Sequence, residues 1–334
     1  MTTVDIHAHV IPPALVQAMR DGTAPDGIRL DDRAGTPWVV HRQGYQYPLL
    51  DAFHDVESRL ATMDRTGVDV AVLSIAPPLF LYWLSGAEGV AAATTINDAI
   101  AAMVDTAPDR FAGVATLPMQ DPEAAVTELR RSVTELGLRG AQIGANVEGL
   151  PLDHPSLRPI LVEANRLGVP LLIHPYYVGS TPGLDEFYLT NLQGNPWQTA
   201  VTASRLILSG LLDELPELKL VLFHGGGHLP YQIGRLDHGY RVRPEAAAPK
   251  HAPSEYLRRF HFDSLTHSVE STRWLVELVG SDRVMFGTDI PFDMGGGTFA
   301  EQLPHERFGK DALEDISHRN AESLFSLKNE ARDD

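Results

Sequence analysis

Short β-rich runs alternate with longer helical patterns along almost the whole chain, and that rhythm narrows the fold more than any other feature. The runs fall at residues 4–10, 68–75, 111–117, 140–144, 169–174, 218–224, 260–264 and 283–288. Amphipathic stretches at 56–66, 122–136, 156–167, 200–215, 268–279 and 310–324 read as the intervening helices. Strict alternation predicts a parallel sheet buried under helices. About eight runs is the number a closed (β/α)8 TIM barrel needs, although an open doubly wound sheet fits the rhythm equally. The 334 residues are expected to form one α/β domain spanning 1–334, since barrels commonly run this long as a single unit.

Two stretches break the rhythm. Residues 11–51 carry proline, glycine and several aromatics between the first strand and its helix, too long for a plain βα loop, and are expected to form an insertion that walls or covers the substrate pocket. Residues 176–197, with Gly179, Pro182, Gly183 and Gly194, predict an irregular loop after the fifth strand.

Composition removes several classes of function. Acidic residues outnumber basic ones 44 to 27, and a net charge of −17 repels phosphate backbones and anionic headgroups, so neither nucleic acid nor a membrane is an expected partner. With no cysteine, disulfides, zinc–thiolate sites and thiol nucleophiles are excluded, and any metal must take nitrogen and oxygen ligands. The apolar runs are too short to span a bilayer and no basic leader precedes the first strand, which makes the expected location cytoplasmic.

The chemistry-bearing residues sit where strands end. Asp5-Ile6-His7-Ala8-His9 places two imidazoles two residues apart, and strand alternation predicts that Asp5, His7 and His9 share one face opposite Val4, Ile6, Ala8 and Val10. Two neutral imidazoles so close are suited to gripping a metal ion. His174 ends an apolar run and precedes Pro175; His224 ends another and precedes three glycines; Asp289 follows a third, with Pro291 behind it. In a parallel barrel these five residues, from four strands, meet at the C-terminal rim where barrel enzymes gather their catalytic groups. His41, His54, His154, His238, His251, His261, His267, His305 and His318 read as surface residues, while His228, beside the triple glycine, is left open. No Gly-x-Ser-x-Gly elbow and no Gly-x-Gly-x-x-Gly fingerprint is present, which disfavours a serine hydrolase and a dinucleotide enzyme.

Taken together the motifs resemble the amidohydrolase superfamily, and within it the aminocarboxymuconate-semialdehyde decarboxylase-like branch, over nearly the whole length. The matching segments are Asp5-Ile6-His7-Ala8-His9, Ile173-His174-Pro175, His224-Gly225-Gly226-Gly227 and Thr288-Asp289-Ile290-Pro291-Phe292, with Gly234-Arg235-Leu236-Asp237 and Pro253-Ser254-Glu255-Tyr256 in support. The resemblance implies that His7, His9, His174 and Asp289 bind one divalent metal, most often zinc, that His224 is an acid/base, and that Phe292 lies in the pocket wall. The fourth strand, Gly140-Ala141-Gln142-Ile143-Gly144, lacks the lysine that bridges two metals in binuclear relatives, which predicts a single ion.

One departure bears on substrate. The branch grips a substrate carboxylate with an arginine from the first insertion, and counting back from Arg59 puts Tyr47 in its place, with Arg42 the nearest guanidinium able to substitute. The branch's second arginine matches Arg235, which in relatives reaches a neighbouring subunit's pocket and so implies a homodimer. The expected activity is metal-dependent, non-oxidative decarboxylation of an unsaturated or aromatic carboxylic acid. The alternative is a metal-dependent hydrolase or hydratase acting on a lactone, amide or activated double bond, with Asp289 and His224 sharing the proton work. A binding protein with a residual metal is the remaining reading.

Overall fold

The first strand, β1 (Val4–Val10), is buried along its entire length, as a Val- and Ile-rich strand flanked on both sides by parallel neighbours must be. The computed structural model describes residues 2–176 and 181–327. After β1 come α1 (Pro13–Asp21), an antiparallel sheet of β2 (Ile28–Arg33), β3 (Thr36–His41) and β4 (Gln46–Pro48), and α2 (Val56–Thr66). The alternation then resumes with β5 (Val70–Ile75), α3 (Gly86–Thr106), β6 (Phe111–Gly113), β7 (Ala115–Thr116), α4 (Pro122–Thr134) and β8 (Ala141–Gly144). A small hairpin of β9 (Asn146–Val147) and β10 (Leu150–Pro151) leads to α5 (Arg158–Leu167) and β11 (Pro170–His174). Next are α6 (Asn195–Leu208), α7 (Leu211–Glu214), β12 (Lys219–Leu222), α8 (Leu229–Val242), β13 (Phe260–Asp263), α9 (Val269–Val279) and β14 (Val284–Met285). Three short helices, α10 (Phe299–Gln302), α11 (Lys310–Glu314) and α12 (Asn320–Phe325), follow.

All eight expected runs form strands, and they pair in parallel in the order β1–β5–β6 and β7–β8–β11–β12–β13–β14. Two sets of backbone hydrogen bonds join these pieces into a cylinder. Val114, between β6 and β7, donates to the Leu73 carbonyl at 3.0 Å. Across the other seam Ile6 donates to Phe286 at 3.0 Å, Asp289 to His7 at 2.7 Å, and His9 to Ile290 at 2.9 Å. The sheet therefore has no free edge, which resolves the choice between barrel and open sheet in favour of the (β/α)8 barrel.

Alternate residues of the strands pack in two shells. Val4, Ile6, Val72, Leu172, Val221 and Met285 form an inner cluster closed off by Leu324 and Phe325, whereas Ala8, Val10, Leu73, Ile173, Leu222 and Phe286 join the outer shell beneath the helices. This sorting corrects the expectation that Asp5 shares a face with His7 and His9. Pairing to β5 slips between Asp5 and Ala8, a bulge that inserts one residue and reverses the alternation. Val4 and Ile6 thus point inward together with His7 and His9, because the bulge between Asp5 and Ala8 turns the consecutive residues Ile6 and His7 to the same side.

Helix boundaries follow local chemistry. Asp55 and Asp121 accept from the backbone N–H of Ser58 and Ala124 at the starts of α2 and α4, and Ser268 does the same for Ser271 at α9. The expected 200–215 helix begins earlier, at Asn195, and breaks into α6 and α7 at Gly210, whose φ is +76°. A π-helical turn at Asp315–Arg319 divides the expected 310–324 helix. Part of the anticipated loop after the fifth strand, residues 177–180, lies outside the described residues. Among those described, no helix is long and apolar enough to cross a membrane.

Candidate metal centre

Each site residue emerges from the C-terminal end of a strand. His7 lies in the bulge of β1 and His9 just beyond it, His174 ends β11, and Asp289 lies four residues beyond β14. His224 lies two residues beyond β12, where continued alternation would aim it outward; its backbone adopts a left-handed conformation instead, with φ of 56°. Asp289 is left-handed as well, at 62°. For residues other than glycine this conformation costs about 1–3 kcal/mol, a strain commonly found where a side chain must be aimed for function.

One nitrogen of each imidazole is committed to the protein. The Asp263 Oδ2 carboxylate oxygen accepts from His7 Nδ1 at 2.7 Å, and the Pro175 carbonyl accepts from His174 Nδ1 at 2.7 Å. The Ser74 hydroxyl donates to the Ala8 carbonyl and leaves its lone pair for His9 Nδ1 at 3.1 Å. Protons on all three Nδ1 atoms leave Nε2 as the lone-pair atom, which is how ligand histidines are held. His7 Nε2, His9 Nε2, His174 Nε2 and Asp289 Oδ1 are all buried without a hydrogen-bond partner. These residues can offer one ligand atom each with every pair within 4.8 Å, and Asp289 Oδ1 lies 3.4 and 3.0 Å from the Nε2 atoms of His7 and His9. Ligands about 2.1 Å from one ion stand roughly 3.0–3.4 Å apart when adjacent and farther when opposite. Four stranded polar atoms at such spacings fit the coordination shell of a divalent cation.

Protonation agrees with the donor set. Burial holds His174 well below the usual histidine range, reinforced by the neighbouring imidazoles of His224, His9 and His7, and burial brings His9 down to about 4. Burial acts against ionised Asp289, but the surrounding histidines overcome it and hold the carboxyl well below its usual range. For His7 the effect of burial is outweighed by Asp289 and Asp263, which raise it, so a cation would compete there with a proton.

Three residues that sequence reasoning did not assign to the site brace it. Asp263, fully buried at the end of β13, accepts from Gly225 N at 2.7 Å through its second oxygen, so one carboxylate holds both His7 and the loop carrying His224. Gly287 makes room for this arrangement: a Cβ there would lie 2.9 Å from Cβ of both His7 and Asp263. Asp5 ties the seam of the barrel by accepting from Thr288 N, Thr288 Oγ1 and His7 N, and burial raises its carboxyl to about 6. Arg59, 1% exposed, donates to the backbone carbonyls of His9 and Ile290 and so fixes the two chain segments that carry His9 and Asp289. Asp263 carried a signal, an acidic residue ending a predicted strand. For Arg59 no local pattern exists, because its burial is decided by chain segments far away in sequence.

The remaining expected residues are distributed as follows. His224 Nε2 stands 3.8 Å from Asp289 Oδ2, and both residues line a cavity of about 620 Å³ with His228, Tyr231, Trp274 and Met294. His228, left open by the sequence, therefore faces the same space as His224. Phe292 packs edge-on to His9 at 5.5 Å and to Tyr47 at 5.1 Å. Arg42 is exposed, with its guanidinium 5.9 Å from the Trp83 ring. Arg235 is exposed on α8 and lines a separate groove with Arg205 and Asp153, outside this cavity. His41 corrects the surface reading, being 3% exposed because β3 turns it under the insertion toward Tyr47 and Trp83. His261 is partly buried on β13 rather than free on the surface.

A parallel barrel with three imidazoles and a carboxylate converging at its C-terminal mouth defines a metal-dependent barrel enzyme. Comparison with known proteins narrows the class. The amidohydrolase family model matches residues 4–327. A 2-amino-3-carboxymuconate-6-semialdehyde decarboxylase from Dictyostelium discoideum is 36% identical over 97% of this chain and 91% of its own length. A gamma-resorcylate decarboxylase from Rhodococcus jostii is 36% identical, covering 89% of this chain and 94% of its own. Among solved structures, 5-carboxyvanillate decarboxylase from Sphingomonas paucimobilis superposes with a TM-score of 0.83 at 28% identity, over 98% of this chain and all of the other. A dihydroxybenzoic acid decarboxylase from Polaromonas, with bound manganese and 2-nitroresorcinol, gives 0.80 at 26% over 98% of both. The chain belongs to the amidohydrolase family, on its decarboxylase branch.

Proposed function

We propose that this chain removes the carboxyl group of an unsaturated or aromatic carboxylic acid as carbon dioxide, without redox chemistry, using one divalent ion held by His7, His9, His174 and Asp289. The observation that carries the reading is the convergence of four buried, unpartnered ligand atoms at the barrel mouth. When bound, the ion supplies a Lewis acid that polarises and orients a substrate oxygen. His224, in the cavity wall, delivers a proton to the carbon bearing the carboxylate. That carbon then releases carbon dioxide, and the electron pair of the broken bond restores the unsaturated system. Asp289 Oδ2, 3.8 Å from His224 Nε2, orients the imidazole during the transfer. Phe292 and Tyr47 form the pocket wall, and Tyr47 takes the substrate-facing role that Arg42, exposed and directed to Trp83, is badly placed to fill.

Zinc is our choice of ion because the family resemblance implies it and nitrogen and oxygen ligands suit it, with manganese the alternative that the Polaromonas neighbour supports. The exposed Arg235 is proposed to serve a second copy in a homodimer. The chain is proposed to work in the cytoplasm. It is also proposed to act as one barrel unit, and the inner cluster that joins Val4 to Phe325 supports that single unit. The test is direct. Protein loaded with zinc or manganese is incubated with hydroxybenzoates, carboxylated muconates and simple lactones. Carbon dioxide release from the acids is expected; acid production from lactones alone would overturn the proposal.

A further inference from the structure

Asp289 is carried by the segment between β14 and α10, residues 287–297, so whatever fixes that loop fixes one corner of the metal centre. The loop also carries Phe292, which packs against His9, and Met294, which lines the cavity beside His224. Its sequence supplies little rigidity of its own, since it starts at Gly287 and ends in Gly295-Gly296-Gly297. The two ends nevertheless meet. Gly296 N donates to the Thr288 carbonyl at 2.6 Å, and the Gln302 side chain of α10 donates through Nε2 to the carbonyls of Gly287 and Gly297 at 3.1 and 3.0 Å. Gln302 Oε1 accepts from the Ser264 hydroxyl at 2.8 Å, and Ser264, 1% exposed, directly follows β13 and its last residue Asp263. Glycine at 296 is what lets the amide come so close, because a Cβ there would lie 2.7 Å from Gln302 Nε2.

We propose that Gln302 is a positioning residue for the metal centre: by tying Gly287 and Gly297 to each other and to the end of β13, it holds the loop so that Asp289 is already in place when the ion arrives. Both carbonyls can only accept, so the amide N–H2 faces them and the amide oxygen is left for the Ser264 hydroxyl. One side chain thus joins three chain segments and uses both of its donors. A loop ordered before binding does not have to be ordered by the ion, which is how a group that never touches the metal raises affinity for it. Asp263 supports the same centre through His7 and Gly225, and Ser264, its neighbour in the chain, passes that support on to the Asp289 loop. The inference rests on the metal-binding part of the reading above and is independent of the reaction assigned to the site.

The test uses the full chain and manganese alone. Affinity is read by competition with a chelator of known strength, coordination by the electron paramagnetic resonance of the bound ion, and stability by melting temperature. Gln302→Glu keeps the shape but sets a carboxylate oxygen against two carbonyl oxygens, and Gln302→Met removes all three hydrogen bonds. Each is expected to weaken manganese binding by about 10- to 100-fold and to alter the resonance of the bound ion. Thr298→Ala is the comparison, since it deletes the cap of α10, where Thr298 Oγ1 accepts from Glu301 N, and leaves the Gln302 bonds in place. That variant should melt at a lower temperature and bind manganese as the unaltered chain does. Native affinity or a native spectrum in either Gln302 variant that folds, or an equal loss of affinity in Thr298→Ala, would overturn the proposal. Failure of both Gln302 variants to fold overturns it as well, because Gln302 would then serve the fold. An unaltered chain that binds no manganese ends the metal reading together with the inference, an outcome told apart because it appears before any substitution is made.

Discussion

Replacing Asp263 with asparagine tests how far the metal centre depends on the residues behind its ligands. The native carboxylate accepts two hydrogen bonds at 2.7 Å, one from His7 Nδ1 and one from Gly225 N, in a fully buried position. Asparagine keeps the volume but has a single acceptor oxygen, so one of the two N–H groups faces an amide N–H2 instead. If His7 loses its partner, the imidazole is free to rotate or change tautomer, and Nε2 is no longer held as the lone-pair atom. Loss of a supporting carboxylate of this kind typically weakens metal binding by about 10–100-fold, or about 1.4–2.7 kcal/mol. If Gly225 loses its partner, the His224 loop is released and turnover falls while metal affinity is retained. Competition against a chelator of known affinity reads the first effect, and turnover at saturating metal reads the second. A variant that melts at a lower temperature yet keeps native metal affinity and native turnover would refute this reasoning, leaving Asp263 a fold-stabilising residue only.

Other perturbations follow from the same geometry. His224→Ala should retain the metal but lose at least about 100-fold in turnover, since positioned acid/base groups contribute about 10²–10⁴; unchanged turnover removes His224 from the reaction. Arg59→Met deletes the buried guanidinium that donates to the carbonyls of His9 and Ile290. At about 1.5–3 kcal/mol for a hydrogen bond to a charged group, a clear drop in denaturation midpoint is expected, and an unaltered midpoint contradicts the bracing role. His41 is lowered to about 3 by burial, and His261 to about 4 by burial with a smaller effect from Arg283. The unfolded chain takes up these protons near pH 6.5 and the folded chain does not, so each residue subtracts up to about 1.4 kcal/mol of stability per pH unit below 6.5. Their effect vanishes above that pH, and the loss levels off near pH 4 for His261 and pH 3 for His41. Urea denaturation from pH 7 to 4.5 should show the slope, and His261→Gln should flatten it; an identical slope in the variant counts against the assignment.

What could be seen in the sequence depended on whether it was written locally. The ends of β11 and β12 were legible because each apolar run closes on a histidine followed by proline or glycine, β1 because it carries two histidines two residues apart, and the Asp289 segment because the aspartate ends an apolar run with Pro291 two residues behind. The bulge in β1 was not, since it arises from pairing with β5 and Asp289 with His7 across the seam, and a period of two cannot reveal an inserted residue. Helix α3 (Gly86–Thr106) escaped the periodicity reading because alanines and threonines occupy much of it and blur the apolar stripe. His41 was misplaced for a related reason. A histidine in an irregular, polar-looking insertion carries no mark of burial until the antiparallel sheet of that insertion folds it against Tyr47 and Trp83. Asp263 and Arg59 act through contacts more than 200 residues away in the chain, with His7 and with Ile290, and such pairings have no signature in a single sequence.

The measurement that bears most directly on the whole account is anomalous diffraction from crystals equilibrated with manganese. One peak per chain is predicted, about 2.0–2.3 Å from His7 Nε2, His9 Nε2, His174 Nε2 and Asp289 Oδ1. A map without density among those four atoms, or with two peaks there, would contradict it.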